Sequence, residues 1–232
     1  MDGKTRIFAD RLYLILGGIF ISSLVCSNLI FQKFFIWTTW LPFYGNYTFE
    51  ISVGILPYPI TFLVTDIICE IYGRKKADQI VLSGFIASMF IMGVIFIADL
   101  ATATSWSPVD NDTFHKVFGL FGPAIFASMA AYLTAQFIDI RIFHFWKKLT
   151  HGKHLWLRNN GSTILSQLVD TSAVLLLLCS FGVIGWSRFG ILLVNGFLFK
   201  VLIALIDTPL FYLFSGLLRR RFKLELGQEI TE

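Results

Sequence analysis

The apolar residues of this chain fall into long, nearly unbroken runs separated by short polar stretches. Six runs are long enough to cross about 30 Å of hydrocarbon at about 1.5 Å of helix rise per residue. They cover Leu12–Gln32, Ile51–Tyr72, Ile80–Ala98, Val117–Ile138, Thr163–Trp186 and Phe189–Leu218. The first, third and fourth hold no charged residue. This pattern predicts an all-α integral membrane protein, a six-transmembrane-helix bundle. It divides into an N-terminal arm (1–11), the membrane domain (12–218) and a C-terminal tail (219–232). The segments Lys33–Glu50, Leu100–Lys116 and Asp139–Ser162 are read as the longest loops.

Charge sets the orientation of these runs. Lys and Arg concentrate in the arm, in the segment Gly73–Gln79, after the fourth run and in the tail, fifteen in all. The opposite loops hold Lys33, Lys116 and Arg188, and Lys200 lies within the last run. That asymmetry predicts both termini in the cytoplasm, N-in and C-in, by the positive-inside rule. Trp37, Trp40 and Trp106 fall in the opposite loops, as interface anchors would.

Composition sharpens the class and excludes others. The 232 residues are 56% hydrophobic and 15% charged, with 25 Phe; a soluble domain carries about 25% charged residues. The mean hydropathy is +0.71. The net charge of +4 is explained by the topology-setting loops, so no nucleic-acid partner is expected. Cys26, Cys69 and Cys179 lie inside apolar runs without CxxC spacing and read as free thiols. The first run is too long for a signal peptide and lacks its cleavage site. His151 and His154 have no further ligand at metal spacing, and no phosphate loop, GxSxG or HExxH occurs. No cofactor, metal site or enzymatic activity is expected. Gly18 and Ser22 form one small-xxx-small pair suited to close helix packing.

Ionisable groups inside a bilayer are costly and mark function by default. The second run carries Asp66 and Glu70, the fifth Gln167 and Asp170, and the sixth Lys200 and Asp207. Gln136 and Asp139 repeat the fifth run's spacing at the end of the fourth. Counting turns places Asp66, Asp170 and Asp207 in one layer near the midplane, each next to a Thr, which predicts a polar cavity lined by the second, fifth and sixth helices. Lys200 and Asp207 could pair with each other. Glu70 and Asp139 lie near the cytoplasmic boundary, where solvent, Arg74 or Arg141 would balance them. Pro57 and Pro59 predict a break in the second helix, since proline removes backbone donors and disfavours helix before it. A broken helix within a membrane lines a cavity, so an entrance near Tyr58 is expected. Asp66 or Asp170 could carry a coupling proton.

Pro59-Ile60-Thr61-Phe62-Leu63, followed by Thr65-Asp66-Ile67-Ile68 and Glu70-Ile71-Tyr72-Gly73, resembles the helix-two motif of the queuosine precursor transporters. These are bacterial inner-membrane proteins of the vitamin uptake transporter family. Trp156-Leu157-Arg158-Asn159-Asn160, Ser162-Thr163, Gln167 and Asp170-Thr171 form a second matching block, and Lys200 with Asp207-Thr208-Pro209 a looser third. The resemblance implies a multi-pass secondary transporter for a 7-deazaguanine: the 7-cyano or 7-aminomethyl precursor, or a salvaged queuine-type base. The chemistry of such a ligand suits the polar residues. A carboxylate can accept from N1–H and the 2-amino group, an amide can serve O6, and aromatic faces can stack on the ring. The candidate substrate-binding residues are Asp66, Glu70, Gln167, Asp170, Asn159, Thr61, Phe62, Tyr58, Asp207 and Lys200.

Two other readings compete. Six-helix substrate-binding subunits of ATP-driven vitamin importers share the composition. A pair of membrane aspartates can also form a protease dyad, although no GxGD-like context surrounds these. The expected partners are a small-molecule base and the lipid bilayer; homo-oligomerisation is left open by the sequence.

Overall fold

The computed structural model of the protein describes residues 3–31, 33–41, 45–119, 123–151, 153–182, 184–225 and 227–230, with backbone alone at 41 and 123–128. In chain order the elements are α1 (Gly3–Ile30), β1 (Phe34–Leu41), β2 (Gly45–Ser52), a 3-10 turn (Val53–Ile55), α2 (Tyr58–Ile71), α3 (Arg74–Leu100), α4 (Asn111–Phe118), α5 (Pro123–Leu149), α6 (Leu155–Ser180) and α7 (Trp186–Phe222). Among the described residues, five helical segments are long and apolar enough to cross a membrane: α1, Val53–Ile71, α3, α6 and α7. The predicted run Val117–Ile138 begins in α4, passes residues 120–122 outside the described set, and ends in α5, whose 27 residues span about 40 Å. The end of the first predicted run, Gln32, also lies outside the described residues.

Burial ranks the helices. In the apolar 18-residue stretch of each span, 61% of the residues are buried for Val53–Ile71, against 22% for α3 and 17% for α7. α2 is therefore the centre of the bundle, and α1, α3 and α7 present Leu14, Phe90, Ile97, Leu205 and Ile206 outward. An apolar exterior of this extent belongs against lipid rather than water. Lipid provides no hydrophobic force between helices, so close packing and interhelical hydrogen bonds must hold them. Small residues make that contact. A Cβ on Gly84 of α3 would lie 2.5 Å from the Phe20 ring of α1, and one on Gly54 would lie 2.6 Å from the Ser27 carbonyl oxygen. The close approach on α1 is made by Gly17, against Ile80; Gly18 faces open space.

The predicted Lys33–Glu50 loop is an antiparallel hairpin, registered from Phe34↔Ser52 to Leu41↔Gly45. Its sequence has the two-residue period of a strand, with Tyr47, Phe49 and Ile51 alternating with Asn46, Thr48 and Glu50. The apolar face packs on α7. Trp37 stacks on Phe49, both rings meet Phe199, and the Tyr47 hydroxyl donates to Asn195 Oδ1. Trp37 is thus part of this packing, whereas Trp40 and Trp106 are exposed. In the predicted Leu100–Lys116 loop, Asp110 caps α4 through Thr113 N–H at 2.7 Å. Hydrogen bonds from Thr113 hold the Asp110 carboxyl below the usual carboxylate range.

The chain enters α2 through the 3-10 turn, with Pro57 at the helix cap and Pro59 inside the first turn. Proline is tolerated there because the first backbone N–H groups of a helix have no partner within it. α2 leaves through Gly73, whose φ of 82° only glycine adopts at no cost. The first turns of α1 and the described end of the tail lie at this second end of the bundle, opposite the hairpin: Tyr72 OH donates to Ala9 O at 2.8 Å, and Ile230 N–H to Ile71 O at 2.8 Å.

Candidate functional site

A cavity of about 260 Å³ opens at the hairpin end, near the lower end of the range for small-molecule sites. Its walls come from α1 (Ser27, Asn28), Phe31 just beyond it, the hairpin (Phe34, Glu50, Ser52), Tyr58 of α2, Tyr132 of α5, Asp170 and Thr171 of α6, and Lys200 of α7. The wall is mainly apolar, with a few convergent polar groups, the usual make-up of a ligand site.

The polar focus is Asp170. Its Oδ2 accepts from Lys200 Nζ at 2.7 Å and from Tyr58 OH at 2.5 Å, while Lys200 Nζ also lies 4.5 Å from the Tyr58 ring centre. Three helices meet at one carboxylate oxygen. The other oxygen, Oδ1, is buried without a hydrogen-bond partner among the described residues, as are Asn28 Nδ2 and Thr171 Oγ1 on the same walls. A buried polar atom left unpaired is costly, and three around one cavity are what a polar ligand would satisfy. Lys200 therefore pairs with Asp170 and not with Asp207, which is half-buried on α7 away from the cavity.

Beneath the cavity a polar column runs through the bundle. Gln136 Nε2 donates to Tyr132 OH at 2.7 Å and approaches Thr61 Oγ1 at 3.4 Å. One turn further along α5, Asp139 Oδ1 accepts from the Ser166 hydroxyl of α6 at 3.1 Å, and the Asp139 carboxyl faces Asp66 of α2. Gln167, 3% exposed, lies between Thr163 and Asp170 on one stripe of α6. Phe62 and Thr61 are buried in α2, Phe62 against the Tyr58 ring.

At the terminus-bearing end the column becomes ionic. Glu70 Oε2 lies 3.0 Å from Arg158 Nη2 and 3.7 Å from Lys147 Nζ, and Glu70 Oε1 lies 4.0 Å from Arg219 Nη1. Glu70 and Arg158 are both 0% exposed. Lys147 also binds Glu229 of the tail at 2.9 Å. Glu70 is therefore neither solvated nor paired with Arg74, which bridges Asp78. Asp139 is likewise buried and faces Asp66 rather than Arg141. Arg158 and Lys147, read from the sequence as loop charges, are interior groups. Asn159 is buried beside them, and Asn160 ties α6 to α7 through Thr208 at 2.8 Å.

Of the ten sequence candidates, Tyr58, Asp170 and Lys200 border the cavity. Asp66, Glu70, Gln167, Asn159, Thr61 and Phe62 are buried in the column or beside it. Asp66 lies eight residues, about 12 Å, along α2 from Tyr58, so Asp66 and Asp170 sit at successive levels rather than in one layer. Sequence reasoning missed Tyr132, Glu50 and the Glu229 contact, and gave Asp139 and Arg158 no part in the site. Tyr132, Gln136 and Asp139 do carry a signal, an i, i+4, i+7 polar stripe on an apolar helix.

Comparison with known proteins bears on this arrangement. Residues 52–214 match the family described as "Putative vitamin uptake transporter". A "Probable queuosine precursor transporter" of Bacillus subtilis (strain 168) is 26% identical over 165 residues, 69% of this chain and 70% of that protein. A protein of the same description from Haemophilus influenzae is 27% identical over 127 residues, 55% of this chain and 51% of that protein. No solved structure matches the chain.

Proposed function

The chain belongs to the vitamin uptake transporter family, and from that premise we propose that it imports a 7-deazaguanine precursor of queuosine across the bacterial inner membrane. In this reading it is a secondary transporter of six spans, α5 supplying the sixth, with both termini in the cytoplasm. The hairpin end with its cavity then faces outward, and the ionic end faces the cytoplasm. Two relatives described as queuosine precursor transporters support the substrate class.

The observation that carries the proposal is the set of unpartnered atoms around the cavity. Asp170 Oδ1 is an acceptor and Asn28 Nδ2 a donor, with Tyr58 and Tyr132 beside them. A guanine-like edge offers the complement: N1–H and a 2-amino group for the carboxylate, and O6 for the amide. The aromatic walls suit stacking on the flat ring. Lys200 holds Asp170 in place through its other oxygen, leaving Oδ1 for the ligand.

Cells unable to make the 7-deazaguanine provide the test. Each precursor is supplied at low concentration and queuosine is measured in tRNA. Expression of this protein alone should restore queuosine with at least one precursor, and Asp170→Asn should abolish the rescue while the protein still inserts in the membrane. Failure to rescue with the 7-cyano base, the 7-aminomethyl base and queuine would sink the proposal. Rescue only alongside partner ATPase subunits would favour the importer-subunit alternative, for which no observation on this chain speaks.

A further inference from the structure

The Asp66–Asp139 pair lacks what any two adjacent carboxylates need. A carboxylate is an acceptor only, so two that face each other between α2 and α5, both buried, can bond to each other only through a proton. Each is almost fully buried, Asp66 at 1% and Asp139 at 0% exposure. Among the described residues, each also keeps one oxygen without a donor, Asp66 Oδ1 and Asp139 Oδ2.

The surrounding groups sharpen the deficit. From α2, Glu70 and Cys69 face the pair; from α5, Tyr132; from α6, Arg158. Lys147 of α5 stands behind Glu70, and Asp78 of α3, near Cys69, is bridged by Arg74. Arg219 of α7 and Glu229 of the tail complete the ionic cluster, with His144 beside Glu229. Among the described residues of this cluster, five carboxylates (Asp66, Glu70, Asp78, Asp139, Glu229) meet four permanent cations (Arg74, Lys147, Arg158, Arg219), Arg74 being committed to Asp78. Arg158 and Arg219 are committed to Glu70, and Lys147 is shared by Glu70 and Glu229. One proton on the Asp66–Asp139 pair balances the whole. Asp170 differs, because Lys200 and Tyr58 already occupy its Oδ2.

We propose that the Asp66–Asp139 pair binds the proton whose downhill movement drives uptake. The inference rests on the transport reading above and names the coupling ion for the same path. The proton enters from the cavity side, past Tyr132 and Gln136, and is held between two carboxylates contributed by α2 and α5. It leaves towards the ionic end when the two helices part and Asp66 and Asp139 separate. One proton then travels with each substrate.

Purified protein in liposomes tests this with radiolabelled 7-cyano-7-deazaguanine and 7-aminomethyl-7-deazaguanine. Counterflow of label without any gradient reports the carrier itself. Accumulation under an imposed acid-outside gradient reports coupling, and a dye trapped inside reports proton entry when substrate is added. The wild type should show counterflow, substrate-dependent internal acidification, and about tenfold more accumulation per imposed pH unit for one coupled proton. For Asp139→Asn and Asp66→Asn, the ratio of accumulation with and without the gradient should fall to about one, while Asp139→Glu should keep a gradient-dependent ratio. Counterflow by the wild type without gradient response or acidification overturns this inference but leaves the proposed function standing. Gradient response by sodium instead of protons overturns it as well. Absence of counterflow with both bases removes the proposed function and this inference together. Should the Asn variants fail to insert, Asp139→Glu decides: the longer side chain should move the pH at which accumulation is half-maximal, and an unchanged pH profile would overturn the role of the pair.

Discussion

Lys200 of α7 and Asp170 of α6 meet at 2.7 Å on the wall of the cavity, with side chains 12% and 4% exposed. The pair has a direct energetic consequence. Removing one partner of a buried ion pair strands the other and costs about 3–5 kcal/mol. Lys200→Met and Asp170→Asn should each lower the unfolding midpoint of the purified protein. The double variant should lose clearly less than the sum of the two, by a thermodynamic cycle. Additive losses would show that the two groups do not depend on each other.

The ionic end should respond unequally to its members. Glu70 is fully buried and faces three cations, whereas the Arg219 side chain is 13% exposed and 4.0 Å away. Glu70→Gln should cost about 3–5 kcal/mol, and Arg219→Gln about 1 kcal/mol or less. Urea or thermal unfolding in detergent measures both, and equal losses would contradict the geometry.

The tail should act as a stopper over the terminus-bearing end. Ile230 N–H bonds Ile71 O, and Glu229 bonds Lys147, at 2.8 and 2.9 Å. Together these are worth about 2 kcal/mol, or about thirtyfold in local opening. Ending the chain after Lys223, in a Cys26→Ala, Cys179→Ala background, should therefore speed alkylation of buried Cys69. An unchanged alkylation rate would mean that the tail does not close this end.

Glycine substitutions separate close contact from open surface. A Cβ on Gly54 would meet the Ser27 carbonyl oxygen and Phe31 Cα at 2.6 and 2.8 Å, both backbone atoms, so Gly54→Ala should cost about 1–3 kcal/mol. It should also weaken uptake, because Gly54 borders the cavity. Gly93 of α3 has nothing within 4 Å, and Gly93→Ala should gain about 0.5–1 kcal/mol through helix propensity. Thermal unfolding of the two variants checks the contrast.

The sequence made much of this legible, and where it misled, the cause is physical. The apolar runs mark the helices because a span in lipid must be both long and apolar. The hairpin was hidden by a competing signal: Trp37 and Trp40 suggested interface anchors, while the strand period of Tyr47, Phe49 and Ile51 was equally present. Arg158 looked like a topology signal because basic residues near a span usually are. Only its contact with Glu70, distant in sequence, makes it an interior group.

What the sequence by itself determined is the membrane class, the ionisable residues in the spans and the family. Those depend on local composition and on motifs that travel with the chain. What only the tertiary structure decided is which charge meets which. Asp170 took Lys200 rather than leaving it to Asp207, Glu70 took Arg158, and Asp66 was set against Asp139. Helical spacing gives the face on which a side chain stands. Its partner depends on how neighbouring helices are rotated and shifted along their axes, and in lipid that is set by packing across all of them at once.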